Sequence, residues 1–210
     1  MSCLLIIDVQ NDFMKDGSLE VENANDILEP INNIRNNCSF DLIALSKDWH
    51  PENHISFAST HNKQPFIDSI ITKSNHSQLL FPDHCIQNTK GSEINKDLII
   101  KDNDIIINKG MDIEVDSYSA FYDNDKNSKT ELEEILKKHS INKVYVCGLA
   151  TDFCVLASCL DSVNCGFKTY FIQDCSKGVS KNGVDQSLQQ MKNKGIIFIN
   201  SSDLIQNKIN

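Results

Sequence analysis

Short apolar runs alternate with helix-patterned segments along this chain, and that alternation most constrains its fold. The runs lie at residues 4–9, 40–46, 104–108, 143–147, 168–173 and 195–200. Several are apolar almost throughout, as strands covered on both faces must be. Between them, residues 23–36 place Ala24, Ile27, Leu28, Ile31 and Ile34 at helical spacing. Residues 129–139 place Leu132, Ile135 and Leu136 on one face. Residues 153–163 form a mostly apolar helix, and 184–192 a further one. Strands alternating with helices predict an α/β, three-layer fold: a mostly parallel six-stranded sheet with helices on both faces. Residues 1–210 read as a single domain, with no repeat and no linker. A loop-rich insertion covers about 48–100, rich in His, Asn, Ser and Pro and long enough to be functional.

At 210 residues the chain can bury a core without disulfide or metal staples. Its 29 acidic against 20 basic residues, a net charge of −9, argue against nucleic acid or an anionic membrane as partner. No apolar run approaches the ~20 residues of a membrane span. The opening, Met1 to Asp8, lacks a basic region and its apolar run ends at an acid, so an intracellular, cytoplasmic protein is expected. Eight cysteines stand at 3, 38, 85, 147, 154, 159, 165 and 175, without C-x-x-C spacing. They read as small buried hydrophobes rather than a disulfide framework or zinc ribbon, leaving the question of which one sits where a thiolate is stabilised.

In an open parallel sheet, ligands bind beyond the carboxyl ends of the strands. Here those ends carry Asp8, then Asp48 and His50, then Lys109, and the fourth strand leads through Gly148 to Cys154. Cys154 at a helix start, near a lysine, is placed for a lowered thiol pKa, and Asp8 could take its proton. Each residue also has a plain reading: Asp8 as a cap, Lys109 as a solvated lysine, Cys154 as core. Asp48 and His50 lie on one side of an extended segment and could share a metal with His84, with His54 a further candidate. The alternative is hydrogen bonding within a loop. Phe13, Phe81, Tyr118 and Phe121 could wall a flat ring or be plain core.

Five blocks carry a resemblance. Asp8-Val9-Gln10-Asn11-Asp12-Phe13, the run from Ser46 to Phe57, Phe81-Pro82-Asp83-His84-Cys85, the run from Asp116 to Phe121, and Gly148 to Val155 follow in order. Together they resemble the nicotinamidases of the isochorismatase-like cysteine hydrolase superfamily. The resemblance implies a catalytic triad of Asp8, Lys109 and Cys154. It implies metal ligands Asp48, His50 and His84, with His54 completing the shell in some members. It implies a cis Leu149–Ala150 bond, an oxyanion hole from the Ala150 and Cys154 N–H groups, and a pocket wall of Phe13, Phe81 and Tyr118. Phe81 stands where the family usually has Trp, which bears on ring stacking. The implied reaction is hydrolysis of nicotinamide to nicotinate and ammonia through a thioester, serving NAD salvage, with one divalent ion: Zn, or else Fe or Mn. The alternative is a superfamily amidase acting on a carbamoyl or ureido substrate. A non-catalytic metal-binding protein on the same fold is opposed by the intact triad and metal positions. The partner is a small molecule, and a homo-oligomer is compatible with the sequence.

Overall fold

The computed structural model describes residues 1–206. Its main sheet comprises β1 (Ser2–Ile7), β2 (Leu42–Asp48), β5 (Ile105–Lys109), β6 (Lys143–Leu149), β7 (Lys168–Lys177) and β8 (Ile197–Ile199). They run in the order β5-β2-β1-β6-β7-β8, and every pairing is parallel. The six predicted strands are all present, and the sheet is the predicted α/β architecture, fully parallel rather than mostly so. The helices are α1 (Leu28–Asn37), α2 (Leu132–Lys138), α3 (Leu156–Asn164), α4 (Lys181–Asn193) and α5 (Ser201–Ile205). A small antiparallel hairpin, β3 (Ser69–Ile71) with β4 (Ser77–Leu79), lies within the loop-rich region.

β1 shows why the sheet is covered on both sides. Leu4 and Ile6 join one core with Ile27, Ile31 and Ile34. Cys3, Leu5 and Ile7 join the other, with Leu132, Leu136, Cys159 and Met191. Alternate side chains point to opposite faces, so a strand buried twice must be apolar at every position. Each fully buried Leu or Ile contributes about 1.5–3 kcal/mol. All eight cysteines are free thiols, and six of them are buried. Among the described residues, no helix is long and apolar enough to cross a membrane.

The chain turns to one side of β1 to form β2 and to the other to form β6. That reversal opens a crevice at the carboxyl ends of β1 and β6, where open α/β sheets take their ligands. At β6 the approach to β1 is tight. Gly148 has φ +115°, and a Cβ there would lie 2.1 Å from the Ile7 carbonyl oxygen. Only glycine fits this backbone and this gap.

Candidate active site

Three side chains from separate segments at the strand ends meet in the crevice. Asp8 follows β1, Lys109 ends β5, and Cys154 lies on the π-helical turn Thr151–Val155 between β6 and α3. The Lys109 Nζ lies 2.9 Å from Asp8 Oδ2 and 3.4 Å from Cys154 Sγ. It also donates to Asp48 Oδ1 at 2.5 Å and to the Ser117 carbonyl at 2.9 Å. The other Asp8 oxygen, Oδ1, accepts from Ser46 Oγ at 2.6 Å. Asp8 and Lys109 are fully enclosed.

The electrostatics follow from that enclosure. Burial raises the Asp8 carboxyl to about 6, against the pull of Lys109 and the Ser46 hydrogen bond. Burial also disfavours charge on Lys109, but Asp48 and Asp8 outweigh it and hold the ammonium well above the ordinary lysine range. Burial would raise Asp48 too, but Lys109 and His50 more than offset it and keep this carboxylate ionised. The cysteine departs from expectation. Burial pushes the Cys154 thiol well above its ordinary value; Lys109 opposes this, and Asp8 and Asp48 reinforce it. Cys154 therefore rests as a thiol, because desolvation and two carboxylates outweigh one lysine. A thiol needs a base at hand, and a carboxyl poised near 6 is one.

Beside this trio stand Asp48, His50 and His84, whose potential ligand atoms all lie within 4.8 Å of one another. His50 Nδ1 donates to the Gly110 carbonyl at 2.8 Å, and His84 Nδ1 to the Pro82 carbonyl at 2.7 Å. Each ring thereby turns Nε2, with its lone pair, toward the cluster. Gly110 makes the His50 contact possible: its φ is +65°, and a Cβ would lie 2.4 Å from the imidazole. His54 stacks on His50 with ring centroids 4.0 Å apart and pairs through Nδ1 with Ser56 Oγ at 2.8 Å. Its Nε2 is buried and has no partner among the described residues. One carboxylate, two oriented imidazoles and an orphaned third suit a divalent transition-metal ion.

Of these groups, Cys154, Asp48 and His84 line a cavity of about 300 Å³. Phe13, Phe81 and Tyr118 line it as the resemblance implies, and Phe121 does not. Phe121 packs in the core against Phe167 instead. The Leu149–Ala150 bond is cis, and Ala150 also lines the cavity. Sequence reasoning passed over several contributors. Phe153 stands edge-on to both Phe81 and Tyr118. Phe57 packs its ring against all three clustered histidines. Asp116 is buried within ligand distance of His50 and His54 and accepts from Gln78 Nε2 at 3.1 Å. Phe153 and Asp116 sat inside quoted motif blocks, so the signal existed. The rim residues Leu19, Val21, Phe66 and Val179 come from loops with no pattern to read.

A parallel α/β sheet with a buried cysteine, carboxylate and lysine at its switch point defines a class of hydrolase-like folds, and comparison identifies the branch. The Isochorismatase domain family matches residues 2–203, and the chain belongs to that family. The nicotinamidase of Acinetobacter baylyi is 40% identical over 204 residues, covering 96% of this chain and 94% of that protein. Among solved structures, an Acinetobacter baumanii nicotinamidase/pyrazinamidase superposes with a TM-score of 0.91 at 45% identity, covering 97% of each chain. The pyrazinamidase of Pyrococcus horikoshii in complex with zinc superposes with a TM-score of 0.77 at 32% identity, covering 95% of this chain and 98% of that one.

Proposed function

We propose that this protein is a nicotinamidase, hydrolysing nicotinamide to nicotinate and ammonia. The observation that carries the reading is the meeting of Asp8 and Lys109 with Cys154, which lines a ring-sized aromatic cavity, beside the Asp48–His50–His84 cluster. The similarity to nicotinamidases over nearly the whole chain supports it.

The substrate ring lies between Phe13, Phe81 and Tyr118. Asp48, His50 and His84 would hold a divalent ion, with His54 Nε2 as a fourth donor. When bound, that ion supplies an electrophile that fixes the pyridine nitrogen. Asp8 takes the Cys154 proton as the sulfur attacks the carboxamide carbon. The developing oxyanion receives the Ala150 and Cys154 N–H groups; such donors are worth ~3–4 kcal/mol in related acyl transfers. Asp8 then passes its proton to the departing nitrogen, so ammonia leaves and a thioester remains. Asp8 next takes a proton from water, whose oxygen attacks the thioester carbon; the C–S bond breaks, Asp8 returns that proton to the sulfur, and nicotinate leaves. Lys109 stays charged throughout and holds the two carboxylates together. In the cell the reaction would serve NAD salvage.

Ammonia release from nicotinamide tests the whole reading. The wild-type protein is expected to turn over, and Cys154→Ala to fold normally with no turnover. Wild-type rates in Cys154→Ala would refute covalent catalysis.

A further inference from the structure

Two side chains between Asp8 and Phe13 have no part in the chemistry above, yet both grip the metal-ligating segments. The Gln10 side chain is fully buried and pairs with the Asp48 backbone on both sides. Its Nε2 donates to the Asp48 carbonyl at 2.7 Å, and its Oε1 accepts from the Asp48 N–H at 2.8 Å. The same Nε2 reaches the Ser92 carbonyl at 3.0 Å. An amide side chain here does what a neighbouring strand would do, just where β2 ends.

Asp12 serves the other segment. Its Oδ2 accepts from the Cys85 N–H at 2.7 Å, next to His84. Cys85 is left-handed, with φ +48°. A non-glycine residue holds that conformation only when its surroundings impose it. Gly91 supplies the room: a Cβ there would lie 2.1 Å from Asp12 Oδ2. The Cys85 carbonyl in turn accepts from the His50 N–H at 3.0 Å. One hydrogen-bonded path thus links Asp12, Cys85 and His50, and Gln10 closes on Asp48.

We propose that Gln10 and Asp12 are positioning residues that set the spacing of Asp48, His50 and His84 for the metal ion, so that the segment carrying the base also builds the metal site. The inference rests on the metal reading given under Proposed function. Removing an outer partner of a metal ligand typically costs about 10–100-fold in metal affinity.

The test is zinc binding by chelator-stripped protein, measured by competition with a chromophoric chelator, alongside the thermal midpoint of the metal-free form. Asp12→Ala and Gln10→Met are expected to weaken zinc binding about 10–100-fold while the metal-free midpoint changes little. Asp12→Asn keeps an acceptor oxygen for the Cys85 N–H and is expected to bind zinc close to wild type. Should Gln10→Met fail to fold, the Asp12→Ala and Asp12→Asn pair carries the test. Wild-type zinc affinity in Asp12→Ala, or a loss shared equally by Asp12→Asn, overturns the proposal. A metal-free midpoint that falls while the affinity of the folded protein holds assigns both residues a merely structural role. Failure of the wild-type protein to bind zinc instead overturns the metal reading, and this inference with it.

Discussion

Ser46→Ala removes one atom from the site and leaves every proposed reacting group in place. Ser46 Oγ donates to Asp8 Oδ1 at 2.6 Å, inside a region closed to solvent. That bond favours the ionised carboxyl, which burial nonetheless holds up at about 6 with the bond in place. A hydrogen bond to a charged group is worth about 1.5–3 kcal/mol, and one pKa unit corresponds to about 1.4 kcal/mol. Its loss should therefore raise Asp8 by about one to two units. The sign follows from the chemistry: Asp8 must be ionised to take the thiol proton, so activity rises with pH through its pKa. The acidic limb of kcat/KM for nicotinamide should move to higher pH by about one to two units. A deficit of roughly tenfold near pH 6 should close above about pH 8 to 9. Ammonia release measured from pH 5 to 10 reads this directly, and Ser46→Thr should restore the limb by returning the hydroxyl. A limb that stays in place, or a deficit equal at every pH, would refute the assignment of Asp8 as the base.

Removal of metal by a chelator should abolish turnover, and added Zn²⁺ should restore it; full activity in verified metal-free protein would sink the metal-anchoring idea. His84→Ala should raise KM for nicotinamide more than it lowers kcat, because it removes a donor to the ion that fixes the ring; steady-state kinetics at saturating zinc separates the two. Gly110→Ala should cost about 2–4 kcal/mol, combining a left-handed backbone with overpacking against His50. Gly166→Ala, also left-handed but with nothing within 4 Å of the added carbon, should cost only about 1–2 kcal/mol; equal urea midpoints for the two would contradict the steric account.

The parallel sheet was legible because strands such as 4–9 must be apolar on both faces, and nothing else in a short run looks like that. Strand ends were less sharp. The second strand was read as ending at Ser46 but runs to Asp48, since pairing with Lys109 carries it past the last apolar residue. Helix α5 went unread because it is only five residues long; its identity lies in a capping box of Asn200 and Asp203, not in periodicity. The β3–β4 hairpin is likewise short, with three residues in each strand. Within the site, Asp8, Asp48, Lys109 and Cys154 could be found because strand ends are a place that topology names. Phe57 and Gln10 lie inside the quoted blocks, but what they touch, the clustered histidines and the Asp48 backbone, shows only in the fold. The thiol state of Cys154 was also beyond reach: helix position and a nearby lysine favour thiolate, and only burial shows that desolvation prevails.

The position of β1 at the centre of the sheet has a consequence for how the protein acquires activity. Ser2 pairs with Lys143 on one side, and Cys3 with Leu42 on the other. The shortest contiguous segment that holds Asp8, Lys109 and Cys154 together is about 70% of the chain. Pairings so distant along the chain form slowly, because loop closure must precede any reward from contact. During refolding, secondary structure should therefore return before catalysis does. The regain of ammonia release would then mark the moment when both halves of the sheet have closed on their first strand.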